Sequence, residues 1–375
     1  MLSNYQGFER NKWSAPDTMR KLWLLFAGCA SISVFLMYLG TKLISPFRGQ
    51  NAYESKDVPS EITLAESEKP QVLELKISSL EEQCVGTASC REVLGQEPVN
   101  MERLELLRNV CEDASLKNVT YSGISRFVLD RIFVSDKYKI LFCQTPKVGN
   151  TQWKKVLIVL NGAFSSIKKI PESLVHDHEK NHLPRLSSYR KPEVKKRLNS
   201  YFKFLIVRDP FDRLISAFKD KFLQNPRFEP WYKHEIAPAI IQRYRKNHTE
   251  VRGLQFEDFV RYLGDPNHRW LDVQFGDHII HWATYVELCA PCEIKYDVIG
   301  HHETLRNDAP YILKKAGVDH LISYPPIPPG ITEYNRTKVK QYFLGLSKRD
   351  IRRLYTRFQG DFKLFGYSKP SFLLV

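Results

Sequence analysis

Cysteine is scarce in this chain. Seven in 375 residues are too few for a small scaffold stapled by disulfides. No two aspartates stand two positions apart, so the Asp-x-Asp motif of many metal-dependent glycosyltransferases is missing. Cys289-Ala-Pro-Cys292 has no second Cys-x-x-Cys to complete a zinc site. No internal repeat is visible, which removes solenoid architectures. Disorder is not a general property either: aromatics make up 12% of the chain, and with 21 prolines this also argues against collagen and coiled coil.

Basic charge is abundant. Lys+Arg number 56 against 42 Asp+Glu, a formal net of +14. Residues 1–98 hold 10 basic and 12 acidic residues, a net of −2, so residues 99–375 carry 46 and 30, a net of +16. The positive field belongs to the part with folded character, and it predicts an anionic partner.

Leu22 to Thr41 is a run of twenty uncharged, mostly apolar residues, enough to span a bilayer core as a helix. A cleaved signal peptide is the rival reading. The run exceeds a signal h-region and lacks a small-x-small cleavage site at its end. Arg10, Lys12, Arg20 and Lys21 precede it and favour a cytosolic N-terminus. The expected organisation is a tail at 1–21, a signal-anchor at 22–41, a luminal stem at 42–98 and a luminal catalytic domain at 99–375. Sequons at Asn118, Asn247 and Asn335 all follow the anchor and predict glycosylation. This topology argues against a nucleic-acid partner. Six cysteines beyond the anchor allow 15 full pairings, and sequence does not choose among them.

Lys139 to Thr145 reads as a buried strand. Pro146, Lys147, Val148, Gly149, Asn150, Thr151 and Gln152 follow as a tight loop. Trp153, Val156, Leu157 and Leu160 then recur at helical spacing, and Gly162 can stop the helix. A strand, Gly loop and helix aim free N–H groups and a helix dipole at one point, which suits a phosphate or phosphosulfate. Lys147 precedes the glycine, so this is not the nucleotide loop G-x-x-x-x-G-K-[ST]. About 60 residues later a second strand, Tyr201 to Val207, ends in Arg208, Asp209 and Pro210, with Ser216 about two helical turns on. Arg208 thus stands at the carboxyl end of a strand, and its planar fork suits a terminal phosphate.

Together these units resemble the donor-binding motifs of the sulfotransferases. Pro146-Lys147-x-Gly149-x-Thr151 is similar to their 5′-phosphosulfate loop, and Arg208-Asp209-Pro210 with Ser216 to their 3′-phosphate motif. Glu287 to Gly300 and Leu354 to Tyr367 further resemble the membrane-bound Golgi carbohydrate sulfotransferases. The likeness runs from about Met101 to the C-terminus. It implies 3′-phosphoadenosine-5′-phosphosulfate (PAPS) as donor, bound by residues 146–152 and by Arg208, Asp209, Pro210 and Ser216, with no metal. It also implies a Golgi membrane location and a glucuronate-terminated glycan of glycoproteins and glycolipids as acceptor. Sulfation of its 3-hydroxyl would form the human-natural-killer epitope. Alternatives are N-acetylgalactosamine of chondroitin, dermatan or N-glycan chains, or a metal-independent Golgi glycosyltransferase. In cytosolic relatives a Trp directly follows the motif Thr. Gln152 intervenes here, so Trp153 receives no adenine-stacking role.

Lys147 is the expected catalytic cation at the leaving group. His178 is the expected acceptor base with His176 the alternate, since both lie between the two donor motifs. His281, His301, His302 and Glu303 are secondary candidates. Cys289 and Cys292 read as structural. The fold class is α/β, a mostly parallel central sheet flanked by helices. Expected helices span 151–162, 211–223, 236–246 and 348–358, and Ser347 with Asp350 resembles a capping box for the last.

Overall fold

A computed structural model describes residues 88–177, 179–224, 229–245 and 253–373. The proposed anchor at 22–41, the N-terminal part of the proposed stem, Asn247 and His178 lie outside the described residues. Among those described, no helix is long and apolar enough to cross a membrane.

The described strands form one sheet in the order β1-β2-β3-β4: Ile132–Ser135, Ile140–Cys143, Phe202–Val207 and Val298–His301. β2, β3 and β4 run parallel, with Phe142 opposite Phe204 and Leu205 opposite Ile299. β1 turns back at 136–139 and pairs antiparallel with β2, so the sheet is mixed rather than wholly parallel. β4 begins only at Val298, six residues after Cys292. Residues 291–294 instead turn after the Tyr285–Cys289 helix, where Ile294 and Tyr296 bury beside Cys289.

Alternation along the strands sorts the core into two faces. Phe142, Phe204 and Ile206 face the Asn150–Leu160 and Leu305–Lys315 helices. Leu141, Cys143, Leu205 and Val207 face the segment 283–296. Trp153 lies in the first cluster with its ring centroid 4.7 Å from Phe204 and 6.0 Å from Phe142. It is a core residue, in keeping with the role withheld from it above.

The Asn150–Leu160 helix closes on Gly162 with φ 83°: Gly162 N donates to Val159 O and Ala163 N to Ile158 O, a paired left-handed cap. The Pro210–Phe218 helix continues into a π-helical turn, Lys219–Gln224. The helices expected near 236–246 and 348–358 span Ala237–Tyr244 and Lys348–Leu364. Ser347 does cap the latter, accepting from Asp350 N at 3.1 Å. The box stays half-formed because the Asp350 carboxylate is drawn to Arg261 Nε at 3.3 Å.

An Ala88–Glu112 helix crosses the expected stem boundary at 98. Gln96 donates to Asp308, and Asn100 Nδ2 donates to Asp297 O at 3.0 Å, so this helix is fastened beside β4. Cys111 pairs with Cys292 and Cys143 with Cys289. The Cys-x-x-Cys segment is therefore structural: each cysteine staples the same turn to a different distant element.

Candidate functional site

The two expected units meet at the carboxyl ends of β2 and β3. Thr145 Oγ1 donates to Ile206 O and ties the strand ends together. Lys147 and Gly149 both take left-handed backbone, with φ 75° and 86°. Gly149 is the N-cap of the Asn150–Leu160 helix, and no side chain caps that end. Gln152 N donates to Gly149 O at 3.1 Å, and the Asn150 and Thr151 N–H groups ahead of it are left for a ligand. The Asn150 Oδ1 atom is enclosed there without a hydrogen-bond partner. Tyr324 forms a wall of the loop, donating to Gly149 O at 3.3 Å. A Cβ on residue 149 would come within 2.9 Å of the Tyr324 hydroxyl and 3.2 Å of Leu305 Cδ2. Gly149→Ala therefore carries both backbone strain and a clash. It should lower stability by roughly 1–2 kcal/mol from the strain alone, read as a fall in melting temperature. An unchanged melt would contradict the loop conformation.

Pro146 and Val148 are buried, so they serve the loop through backbone and packing. Gln152 is half-buried in the first helical turn. Thr151 points its hydroxyl toward His176, 3.5 Å from Nε2.

Arg208 bridges the units. Its Nε donates to Asp212 Oδ2 at 2.8 Å, and its Nη1 donates to Lys147 O at 3.0 Å. The fork expected to meet a terminal phosphate is here engaged by a carboxylate one helical turn along, itself nearly fully buried. Asp209 caps the Pro210–Phe218 helix, accepting from Phe211 N and Asp212 N at 3.0 and 2.9 Å. That assigns its side chain to the fold rather than to a ligand. Burial, with Asp212 and Glu303 close by, pushes the Asp209 carboxyl up to about 7. Pro210 opens the helix at its first position, and Ser216 is half-buried further along.

The Lys147 ammonium donates to Asp220, a partner that motif reading missed. Asp220 lies four residues beyond Ser216, one helical turn on, in the π turn. Burial holds the Lys147 ammonium below its ordinary value, and Asp220 partly restores it. Burial alone would raise the Asp220 carboxyl, but Lys147 and Lys221 bring it below the usual range.

The histidines separate. His176 ends the Glu172–His176 helix and faces Thr151. Burial, then the positive charge of Lys154, holds its imidazolium below 6.5, so it is a neutral proton acceptor at pH 7. His281 is half-buried with an enclosed, unpartnered Nδ1. The His301 ring stacks on Tyr367 at 5.1 Å. Burial drives both His301 and His302 down to about 3. Glu303 accepts from Asp209 N and from the Tyr367 hydroxyl, each at 2.9 Å, which makes it a brace. A cavity of about 750 Å³ beside Asp209 and Glu303 is also lined by Arg336, Lys340 and Lys369. None of those three cations forms an ion pair with a described residue. Among the described residues, no group of three or more His, Cys, Asp or Glu is placed to hold a metal.

A strand-loop-helix anion site joined to a second strand-end Arg motif defines a group-transfer enzyme on an activated phosphate-type donor. The sulfotransferase family model matches residues 130–368, and the chain belongs to that family. It is a sulfotransferase. Carbohydrate sulfotransferase 10 of Gallus gallus is 67% identical over 358 residues, covering 95% of this chain and 100% of the relative. The Homo sapiens protein of that name is 65% identical over 370 residues, with the same coverage. Carbohydrate sulfotransferase 9 of Homo sapiens is 35% identical over 288 residues, covering 73% of this chain and 61% of that protein. No solved structure matches.

Proposed function

We propose that the chain transfers sulfate from PAPS to the 3-hydroxyl of terminal glucuronate on glycoprotein and glycolipid glycans. The observation that carries the donor assignment is the junction of the two units: Arg208 donates to Lys147 O, and Lys147 itself stands in left-handed backbone just ahead of a helix start that no side chain caps. The donor supplies an activated sulfuryl group whose transfer leaves negative charge on a phosphate oxygen. Lys147 offers a preorganised positive charge to that oxygen, and the Gly149–Thr151 amides and Thr151 hydroxyl hold its phosphate. Arg208 and Ser216 hold the 3′-phosphate once Arg208 shares its fork with Asp212. The chemistry asks for position and charge rather than a metal.

The acceptor reading draws on the names of the relatives, carbohydrate sulfotransferases, which favour a carbohydrate acceptor. The net of +16 on residues 99–375 and the unpaired cations of the 750 Å³ cavity favour an acidic sugar. Assaying sulfate transfer to glycans ending in glucuronate, galactose and N-acetylgalactosamine tests it. Transfer confined to a neutral sugar refutes the glucuronate assignment.

The base is a histidine of the 176–178 segment, and the contact with Thr151 favours His176. His176→Ala should lower turnover about 10²–10⁴-fold with donor affinity nearly unchanged. Because His176 titrates below 6.5, activity should fall on the acid side through that lowered value, and the acid limb should vanish in the variant. Normal turnover in His176→Ala transfers the role to His178, and His178→Ala then shows the loss.

Location is proposed as the Golgi membrane, type II with a luminal catalytic domain. The uncharged run at 22–41 and two disulfides, which persist in an oxidising compartment, support it. Asn118 and Asn335 are exposed. Asn335 Oδ1 accepts from Lys338 N at 2.8 Å, which leaves its Nδ2 for the glycan. Both, with Asn247, should carry glycans. Glycosidase treatment should lower the apparent mass, and protease added to sealed microsomes should spare the domain. An unchanged mass or a digested domain overturns this topology.

A further inference from the structure

Lys147 sits at the start of a row of alternating charge. Its ammonium meets Asp220, Asp220 lies 3.3 Å from the Lys221 ammonium, and Lys221 also meets Glu229. The row is largely out of solvent: the side chains of Lys147, Asp220 and Lys221 are 17%, 29% and 6% exposed. Charges so placed interact far more strongly than at a surface. Two backbone features converge on it. Lys147 is a non-glycine residue in left-handed backbone, and Asp220 and Lys221 occupy a π turn, a local widening that recurs at functional sites.

The row has a consequence for sulfuryl transfer. A buried Lys147 with no counter-charge is costly, so Asp220 stabilises it when no donor is bound. A donor phosphosulfate brings a second anion to the same ammonium. Asp220 then stands as a like charge beside the incoming group unless another cation takes it. Lys221 is already 3.3 Å away, with its ammonium 5.0 Å over the Tyr232 ring.

We propose that Asp220 is a positioning residue shared between two lysines: it holds Lys147 when the site lacks an anion and passes to Lys221 when Lys147 turns to the donor phosphosulfate. Lys221 is the second half of the device, the cation that keeps Asp220 from opposing the donor. This rests on the donor reading given above and adds residues outside both recognised motifs.

The hand-off makes opposite predictions for its two partners, which a merely structural ion pair does not. The probe is 3′-phosphoadenosine 5′-phosphate, the desulfated donor, titrated calorimetrically into the full chain in detergent. Asp220→Asn removes the competitor for Lys147 and should bind the probe about three- to tenfold tighter. Lys221→Met strands Asp220 on Lys147 and should bind it weaker by about the same factor. In the double variant the lysine has nothing left to receive, so affinity should return to that of Asp220→Asn. Asp220→Glu, which keeps the charge, should bind as the parent does. Asp220→Asn costs some stability because Lys147 loses its counter-charge, but the amide oxygen still accepts from that ammonium and the Lys221–Glu229 pair remains, so a melting curve confirms the fold and its sign alone decides if Lys221→Met does not fold. Weaker or unchanged binding in Asp220→Asn overturns the proposal, as does tighter binding in Lys221→Met or simple additivity in the double variant. Failure of the parent chain to bind the probe overturns the donor reading itself, a different result from the wrong sign in a variant.

Discussion

Lys147→Ala lowers sulfate transfer about 10²- to 10³-fold or more, while its melting temperature stays close to the parent's. The first part follows from removing the one cation of the loop positioned for the leaving oxygen, since preorganised charge at such an atom is worth several powers of ten. The second follows from the charge row. Asp220, deserted by Lys147, keeps Lys221 at 3.3 Å and is not left as an isolated buried carboxylate. Arg208→Ala behaves differently. It loses the proposed 3′-phosphate contact, but it also strands Asp212, which is 7% exposed in its side chain and paired to Arg208 at 2.6 Å. Removing one partner of a buried pair costs about 3–5 kcal/mol. Arg208→Ala should therefore lose both activity and several degrees of melting temperature. Arg208→Lys keeps a charge beside Asp212 and separates the two effects, since an ammonium cannot reproduce the fork. Sulfate transfer and thermal unfolding, measured on all three variants, check this. Near-normal transfer by Lys147→Ala refutes the donor site.

What the sequence makes legible here is local. The β2 loop is readable because one short segment carries an apolar run, a left-handed glycine and a 3.6-residue stripe from Trp153 to Leu160. Arg208-Asp209-Pro210 is readable because it directly follows the apolar strand 201–207, with Ser216 about two helical turns on. The antiparallel β1 goes unread because Ile132–Ser135 is four residues long and its partner is fixed by the turn at 136–139, not by its own pattern. The role of Glu303 as the brace of Asp209 depends on a contact across 94 positions. The Lys147–Asp220 pair spans 73 positions. Nothing in a one-dimensional pattern specifies which carboxylate a lysine will meet. The same limit applies to the half-formed capping box at Ser347, where Arg261 from another helix competes for Asp350. Long-range pairing, of charges and of cysteines alike, is set by packing of the whole domain.

Breaking the Cys143–Cys289 bridge should destabilise the domain more than any single surface change. Both cysteines are fully buried, one at the end of β2 and one at the end of the Tyr285–Cys289 helix. The bridge closes a loop of 146 residues, for which chain entropy alone gives about 5 kcal/mol, at the top of the usual 2–5 kcal/mol range. For a domain of this size that corresponds to a fall of roughly 5–15 °C in melting temperature. The position matters as much as the size. Pro146 follows Cys143 by three residues, so freeing that strand end loosens the register of the loop that carries Lys147 and Gly149. The double variant Cys143→Ala/Cys289→Ala should thus lose affinity for 3′-phosphoadenosine 5′-phosphate as well as stability. The other bridge, Cys111–Cys292, fastens the Ala88–Glu112 helix to the same turn without touching a strand end. Cys111→Ala/Cys292→Ala should lower the melt while leaving probe affinity nearly intact. Thermal unfolding and probe titration on the two double variants decide the matter. An unchanged melt in Cys143→Ala/Cys289→Ala, or equal loss of affinity in both, would show that the strand-end staple does not set the loop.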